Sequence, residues 1–522
     1  MTRTIRAKKI IGESIMRVGI LEVMALPSQS WTEKLHHTVL TKQYASLTPQ
    51  AISVWCRQLG HQSFYATYYG VGNPERLLPK DLDIVFFSCC TLASSLVYGL
   101  AKLYRQLGTF TIIGGAHAEA FPADCLRFFD LVVKDCNKEL ISDIVSGQFE
   151  KGHYISSAKP FTDCPTVEER MPEILTASFF KKKWPSVFTS VPMVTSLGCP
   201  YTCDFCMDWN SPYQVLSSDR FANDLHYLAK NYPNTVVAFH DPNFAIQFDR
   251  VFNVLESIPP ESRMSYVMEC SLSILTPSRI DRLRETKCIG ASYGVESWQD
   301  DYSTKAGLKF KKGFEKVDRV SNHVEQLYEY VAYQQVTLLF GLDTDKGDEP
   351  VELMKRFIEQ TPSAWPVIGI PVPFGGTPMF DRFWADDRIL KSMPFTFYYF
   401  PHLVTQLKHY DAITYYEKLI ELSDSVASEK LMKKRLKTSK NNRTRLIHIV
   451  RQKGEAVVKK YYLEILNLLR TDKQFRDFHD GKSTALPNFY KQKSNKILGR
   501  YAELVSPEEQ TPCLEQIQPQ VV

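Results

Sequence analysis

The chain has 522 residues, 44% of them apolar and 23% charged, with a formal net charge of +5. That is ordinary globular composition with room for about three domains and several cores, and a net charge this small does not by itself argue for nucleic-acid or membrane binding. Twelve cysteines without regular spacing, behind a basic N-terminus (Arg3, Arg6, Lys8, Lys9) that no sufficient apolar core follows, do not make a secreted disulfide framework; they read as reduced thiols of a cytoplasmic protein.

The first 146 residues alternate strand-like and helical patterns. Strands are expected at Arg17–Met24, Ser63–Tyr68, Asp83–Phe87, Phe110–Ile113 and Asp130–Val133, and helices at Gln50–Leu59, Leu96–Leu107 and Glu139–Val145. Such alternation predicts a doubly wound, Rossmann-like parallel sheet, with ligands at the carboxyl ends of its strands. The uncharged run from Ile84 to Ala101 is long enough to suggest a membrane span, but Ser88, Thr91, Ser94 and Ser95 break it into a buried strand, a turn and a helix start. Residues 147–191 have weak periodicity and carry Pro160, Pro165, Pro172 and Pro185, the pattern of a linker.

The alternation resumes over 192–385. Strands are expected at Met193–Ser196, Thr235–His240, Met264–Glu269, Ala291–Val295, Gln335–Gly341 and Val367–Val372, with helices such as Phe221–Asn231, Asp249–Glu256 and Pro277–Glu285 between them. Six strand–helix units predict a partial (β/α)6 TIM-type barrel whose active site lies at the strand carboxyl ends. Residues 386–505 read as a helical region, with helices at Tyr410–Asp424, Ser428–Leu436, Arg443–Asn467 and Asp472–Phe478, and 506–522 as a disordered tail. The fold class is thus α/β with a C-terminal helical region.

The first barrel strand runs into Thr195-Ser196-Leu197-Gly198-Cys199-Pro200-Tyr201-Thr202-Cys203-Asp204-Phe205-Cys206, a CxxxCxxC pattern. Three thiolates this close suit three irons of a [4Fe–4S] cluster and leave the fourth iron open. Zinc is the competing reading, but structural zinc takes four ligands in matched pairs and no second CxxC or HxxxH is near. Chance or structural cysteines are the remaining one.

The motif, with Phe205 before its third cysteine, resembles the radical S-adenosylmethionine (SAM) family. There SAM chelates the open iron, and an electron from the cluster splits it into methionine and a 5′-deoxyadenosyl radical. Further landmarks are similar in order and spacing. Phe239-His240-Asp241-Pro242-Asn243-Phe244 stands where relatives often have an Asp-Asp-x-Phe stretch, with His240 replacing the first Asp; Asp241 and Asn243 either face the SAM cavity or cap the following helix. Tyr293-Gly294-Val295-Glu296-Ser297 resembles the family's Gly-hydrophobic-Glu-Ser stretch, which implies SAM contacts for Glu296 and Ser297. Phe340-Gly341-Leu342-Asp343-Thr344 implies a close approach of SAM at Gly341, and Pro371-Val372-Pro373-Phe374-Gly375-Gly376-Thr377-Pro378 resembles the Pro-x-Pro-Gly-Thr-Pro loop.

The N-terminal domain resembles the cobalamin-binding domain that precedes many radical SAM barrels. The likeness rests on Phe86-Phe87-Ser88-Cys89-Cys90-Thr91 and Ile112-Ile113-Gly114-Gly115-Ala116-His117-Ala118, and implies cobalamin contacts at Ser88, Thr91, Gly114 and Gly115. The Asp-x-His-x-x-Gly sequence that supplies a cobalt ligand elsewhere is absent, and of the usual Gly-Glu-Gly-Glu stretch only Glu139 remains. Cys89 and Cys90 invite comparison with methylthiotransferases, which carry three N-terminal cluster cysteines; Cys56 and Cys89 could supply two, but no cysteine precedes Cys56 and the third is missing. The basic run Lys430, Lys433, Lys434, Arg435, Lys437, Lys440, Arg443 and Arg445 reads as a solvated helix face or as a dock for an anionic substrate or electron donor.

The resemblance implies an enzyme that methylates an unactivated carbon of a small molecule with a [4Fe–4S] cluster, SAM and cobalamin, fed by a low-potential donor such as flavodoxin or ferredoxin. No nucleic acid and no membrane span are expected. Two alternatives stand beside it: a non-methylating or cobalamin-independent radical SAM cyclase or rearranging oxidoreductase, and a cluster- or cobalamin-binding sensor.

Overall fold

A computed structural model describes residues 15–39, 45–159, 161, 163–185, 189–299 and 313–522. Fifteen strands form among them: β1 (Arg17–Val23), β2 (Gln62–Tyr68), β3 (Ile84–Cys89), β4 (Phe110–Gly114), β5 (Leu131–Val133), β6 (His153–Ser156), β7 (Ser190–Met193), β8 (Ser196–Leu197), β9 (Gln214–Val215), β10 (Val236–Phe239), β11 (Ser265–Cys270), β12 (Cys288–Glu296), β13 (Tyr333–Leu339), β14 (Ala364–Gly369) and β15 (Gln520–Val521). Pro160 of the expected linker falls outside the described residues.

One sheet has the order β15-β6-β5-β4-β3-β1-β2, every pair parallel. Its inner strands β1, β3, β4 and β5 are buried on both faces, which is why they read as apolar runs. Their period of two sorts the side chains into two cores. Val18, Ile20, Ile84, Phe86 and Ile112 face one layer of helices, and Leu21, Val23, Val85, Phe87 and Ile113 the other. The strand order reverses between β1 and β3, the topological switch point where open α/β sheets bind ligands. The uncharged run from Ile84 resolves into β3, a 3₁₀ turn at Thr91–Ala93 and the helix Ser94–Gln106. Among the described residues no helix is long and apolar enough to cross a membrane.

Two expectations are corrected. The stretch 147–191 is not an irregular linker: it holds β6 and a helix at Val167–Ser178 that starts with a Thr166/Glu169 capping box. Pro172 inside that helix hides it from the sequence pattern, yet Glu173 accepts from Ser53 and Arg57, and Arg170 donates to Gln50, which fixes the helix to its neighbour Leu47–Gln58. Residues 506–522 are not a disordered tail either. The chain from Ile497 onward groups with the first 188 residues, and the remainder, Thr189–Lys496, makes a second unit. Leu498, Tyr501 and Val505 are core residues of the first unit, Lys102 pairs with Glu509, and β15 completes the sheet beside β6.

The second unit is built on the parallel order β14-β13-β12-β11-β10-β7, with helices between the strands, a partial barrel left open between β7 and β14. Both of its edge strands contain a proline, Pro192 in β7 and Pro366 in β14; proline removes a ladder donor, so it suits an edge and discourages pairing with another chain. The helices Ala412–Ala427, Glu429–Thr438, Asn442–Thr471 and Lys473–His479 follow. The basic run is mostly an exposed face, as the solvated reading expects, but Arg435 is buried, stacked 4.6 Å over the Trp365 ring and donating to Val426 O.

Glu22, near the end of β1, is 1% exposed and accepts from Ser46 N (2.9 Å) and Tyr65 OH (3.3 Å). Burial pushes its carboxyl from 4.5 up to about 7, against the opposing pull of those bonds. The native state therefore keeps a proton that the unfolded chain releases. The stability this carries is full below the unfolded value and is lost as pH rises through about 7, to an extent of up to about 3 kcal/mol. Thermal unfolding midpoints of wild type and Glu22→Gln, measured from about pH 5 to about pH 8, should diverge, with the wild type falling faster; parallel curves would count against the shifted carboxyl.

Candidate active site

The cysteine loop leaves the carboxyl end of β7. The sequence pattern places the strand at Met193–Ser196, but the ladder stops at Met193 and the chain is pulled away by Asp241. Thr195 and Ser196 each donate a backbone N–H and a hydroxyl to the buried Asp241 carboxylate, at 2.7–3.0 Å. Burial raises the Asp241 pKa while these donors lower it. Ser196–Leu197 then pairs antiparallel with Gln214–Val215, so a two-stranded stem closes the loop. Gly198 sits at φ +66, and a Cβ there would collide with Pro212 O across the stem.

On this loop Cys199 and Cys203 are buried, and Phe205 and Cys206 half-buried. Cys206 N donates to Cys203 O and Trp209 N to Cys206 O, both at 3.1 Å, so the second and third thiols share consecutive turns. Among the described residues no three His, Cys, Asp or Glu side chains are set to share a single metal ion. A four-iron cluster takes each thiolate on a different iron, and an all-sulfur donor set on one short loop fits it.

The loop is also clamped from the far edge of the sheet. Met379 N donates to Asp204 O (2.9 Å) and Trp209 Nε1 to Gly376 O (2.7 Å). Arg382, on the helix Pro378–Ala385, bridges Asp204 (2.9 Å) and Asp343 (3.2 Å), and Arg388 holds Asp343 with both Nη atoms (2.7 and 2.9 Å). Burial works against the Asp343 carboxylate, but Arg388 and Arg382 outweigh it and hold it below the usual range. The sequence pattern points to none of Asp204, Arg382 or Arg388, because the pairing joins residues up to 178 positions apart; the one local signal is Thr377-Pro378, a capping residue before a helix-starting proline.

At the end of β12 the register shifts between Gly294 and Glu296, and Glu296 adopts φ +62. A non-glycine residue in that region is strained, and such strain concentrates at functional sites. The Glu296 carboxylate folds back over Gly294, where any Cβ would collide with it. Ser297 O accepts from the buried Lys316 Nζ (2.7 Å), and Ser297 Oγ from Gln299 N.

Other expected SAM residues are engaged inside the domain. Asn243 exchanges two hydrogen bonds with Ser271, at 2.8 and 2.9 Å, tying β10 to β11. Gly341 has φ +100, and a Cβ on it would lie 2.9 Å from Tyr415 Cε2 and 3.0 Å from Leu407 Cδ1. Its missing side chain thus makes room for the helix Ala412–Ala427, where the sequence pattern suggests room for SAM.

In the first unit, Ser88 is next to last in β3, and Gly114 ends β4 with Gly115 just beyond it, one strand from the switch point. Gly115 has φ +86 and a Cβ there would lie 2.9 Å from Ser88 Oγ, so a side chain strains the backbone whatever binds. Thr91 Oγ1 lies 3.4 Å from Nδ1 of the buried His117, whose Nε2 meets Tyr98 OH at 2.7 Å; Tyr98 donates to Asp124. Burial lowers His117 to about 3, so its ring is neutral. Cys56 and Cys89 belong to the two opposite cores of the sheet, which bars them from one cluster.

Residues 193–357 match the Radical SAM superfamily. Over 325 residues, 60% of this chain and 68% of the relative, the sequence is 22% identical to the bacteriochlorophyllide d C-12(1)-methyltransferase of Chlorobaculum tepidum. Over 361 residues, 65% of this chain and 77% of the relative, it is 22% identical to the bacteriochlorophyllide d C-8(2)-methyltransferase of the same organism. The radical S-adenosylmethionine methyltransferase TsrM from Kitasatospora setae, solved with tryptophan and a SAM analog, superposes with a TM-score of 0.51 at 14% identity, covering 72% of this chain and 77% of that one, and so shares the fold.

The anchor under the loop predicts a separable defect. Asp241→Ala leaves four donors at Thr195 and Ser196 without their acceptor, at about 1–3 kcal/mol for each one that stays buried. Iron and sulfide per chain should fall several-fold although no cysteine has changed, and Asp241→Asn should retain more of both. Full loading of the Ala variant would remove Asp241 from the assembly of the loop.

Proposed function

Taking as premise that this chain is a radical SAM enzyme, we propose that it is a cobalamin-dependent methyltransferase that acts on an unactivated carbon of a small molecule. The observation that carries the reading is the three-cysteine loop at the carboxyl mouth of a six-stranded parallel half-barrel, preceded in the chain by a doubly wound domain with a glycine turn at the carboxyl end of β4, next to the strand that flanks its switch point. The curated relatives support the methyl-transfer part, since their names specify carbon positions of bacteriochlorophyllide d.

Cys199, Cys203 and Cys206 hold three irons and leave one for SAM. Glu296 and Ser297 take the ammonium and ribose groups of SAM by charge-assisted and neutral hydrogen bonds. Asp241 and Asn243 hold the strand ends from beneath, and the Asp204–Arg382–Asp343 chain keeps the cysteine loop against the sixth strand–helix unit. Ser88, Thr91, Gly114 and Gly115 line the edge that would receive cobalamin, with no protein histidine on cobalt. When bound, the cluster supplies a low-potential electron from a flavodoxin- or ferredoxin-type donor, SAM a hydrogen-abstracting fragment and a methyl group, and cobalamin a methyl carrier.

Anaerobically purified protein should contain iron, sulfide and a corrin absorbance, and should release 5′-deoxyadenosine from SAM under reductant. Cys199→Ala, Cys203→Ala or Cys206→Ala should each abolish the iron chromophore in a folded chain. Unchanged iron in any of the three, or stoichiometric zinc in the wild type, would overturn the cluster. Absence of saturable hydroxocobalamin binding would leave a cobalamin-independent radical SAM enzyme. Cluster and corrin without any SAM cleavage would favour a sensor.

Glu296→Gln should weaken SAM binding by roughly ten- to a hundred-fold, the worth of a charge-assisted hydrogen bond at about 1.5–3 kcal/mol, with iron content unchanged because the cysteines stand on another strand. Titration of SAM into the reconstituted protein measures it. Affinity within about twofold of wild type would make Glu296 a structural strand-end residue.

A further inference from the structure

The helix Val167–Ser178 ends in a short exposed turn, Phe179-Phe180-Lys181-Lys182-Lys183-Trp184. Phe179 is buried and roots it, while Phe180 and Trp184 are 56% and 59% exposed. Phe180 and Trp184 form an antiparallel bridge, with Phe180 N donating to Trp184 O (2.8 Å) and Trp184 N to Phe180 O (3.0 Å). Residues directly opposite in such a pair project to the same face, so both exposed aromatic side chains leave the turn on one side. The three lysines between them are exposed, and the run carries no acidic residue.

Two further features argue that these side chains are kept for a surface. Lys181 (φ 52) and Lys182 (φ 57) both occupy the left-handed region, where glycine or asparagine is relaxed and lysine is not. The charges are thus held at a conformational cost that the turn itself does not need. Lys181 Nζ lies 5.6 Å from the Phe180 ring centroid and Lys183 Nζ 5.0 Å from that of Trp184, so each aromatic face carries an ammonium. Faces occupied in this way are poor platforms for nucleic-acid bases, which bind by stacking on them. At a bilayer the same arrangement is favourable, with rings entering the acyl boundary and ammoniums staying at phosphate level.

We propose that the Phe180–Trp184 turn docks the protein reversibly on an anionic lipid surface, independently of its cofactor content. The test is co-sedimentation of the full chain with phosphatidylcholine vesicles, with and without phosphatidylglycerol, at low and high salt. Wild type should bind the anionic vesicles and be released by salt. The combined variant Lys181→Asn, Lys182→Gly, Lys183→Gln relieves the backbone strain, so it should fold at least as well, yet partition on the order of a hundredfold more weakly, three lysines each being worth about fivefold. Phe180→Ser with Trp184→Ser should weaken binding to anionic vesicles while leaving its salt dependence. Equal partitioning of wild type and lysine variant, equal binding to neutral vesicles, or binding of a single-stranded oligonucleotide but not of vesicles would each overturn the proposal.

Discussion

The second unit turns on one buried carboxylate. Asp241 sits just past β10, and its neighbour across the sheet is the end of β7. By taking four donors from Thr195 and Ser196 it stops a strand that the sequence would let run on, and points the chain into the cysteine loop. A buried carboxylate without partners would be driven to protonate or to drag water in; here the strand end supplies the partners, and the carboxylate supplies a fixed exit angle. The stem at β8–β9, the tight turn at Gly198 and the clamp through Asp204 all follow from where that exit lies. The cysteines themselves contribute donor atoms, and the surrounding hydrogen bonds give those atoms their places.

The split between what was legible in the sequence and what was not follows interaction range. Most strands of the two parallel sheets were legible because they are short apolar runs between helical patterns, and β1, β3, β4, β10 and β13 lie within two residues of the expected bounds. The strand-end placement of the cysteine loop, Glu296 and the Gly114-Gly115 turn was legible because each is a local pattern that follows an apolar run. The end of β7 was not, since its cause is a side chain 46 residues away. Pro172 masked a helix held by Arg57 and Gln50, partners more than 100 residues distant. The low-periodicity tail gave no hint of pairing with β6, because two residues of edge strand carry no pattern.

Glycines illustrate the same division. At Gly294 the sequence supplies a Gly-x-Glu spacing, and the structure supplies its reason: the carboxylate of Glu296 occupies the space a side chain would need. At Gly341 the spacing is equally regular, but the neighbours are Tyr415 and Leu407 from a helical region outside the sequence motif. One glycine leaves room for a carboxylate at a strand end and the other for the C-terminal helices, and spacing alone does not separate them.

The return of the last residues to the first sheet has a consequence for how the protein is made. The first unit draws its core from both ends of the chain, with Leu498, Tyr501 and Val505 packed into it and β15 closing its edge, so the second unit is in effect an insertion within the first. During synthesis the barrel and its helices have their whole sequence available before the sheet that precedes them does, because domains form as units when their residues have emerged. The N-terminal sheet waits with an open edge at β6 until Gln520 and Val521 have emerged. A chain cut after Lys496 therefore keeps every partner of the cysteine loop and loses the residues that complete the first sheet and its core.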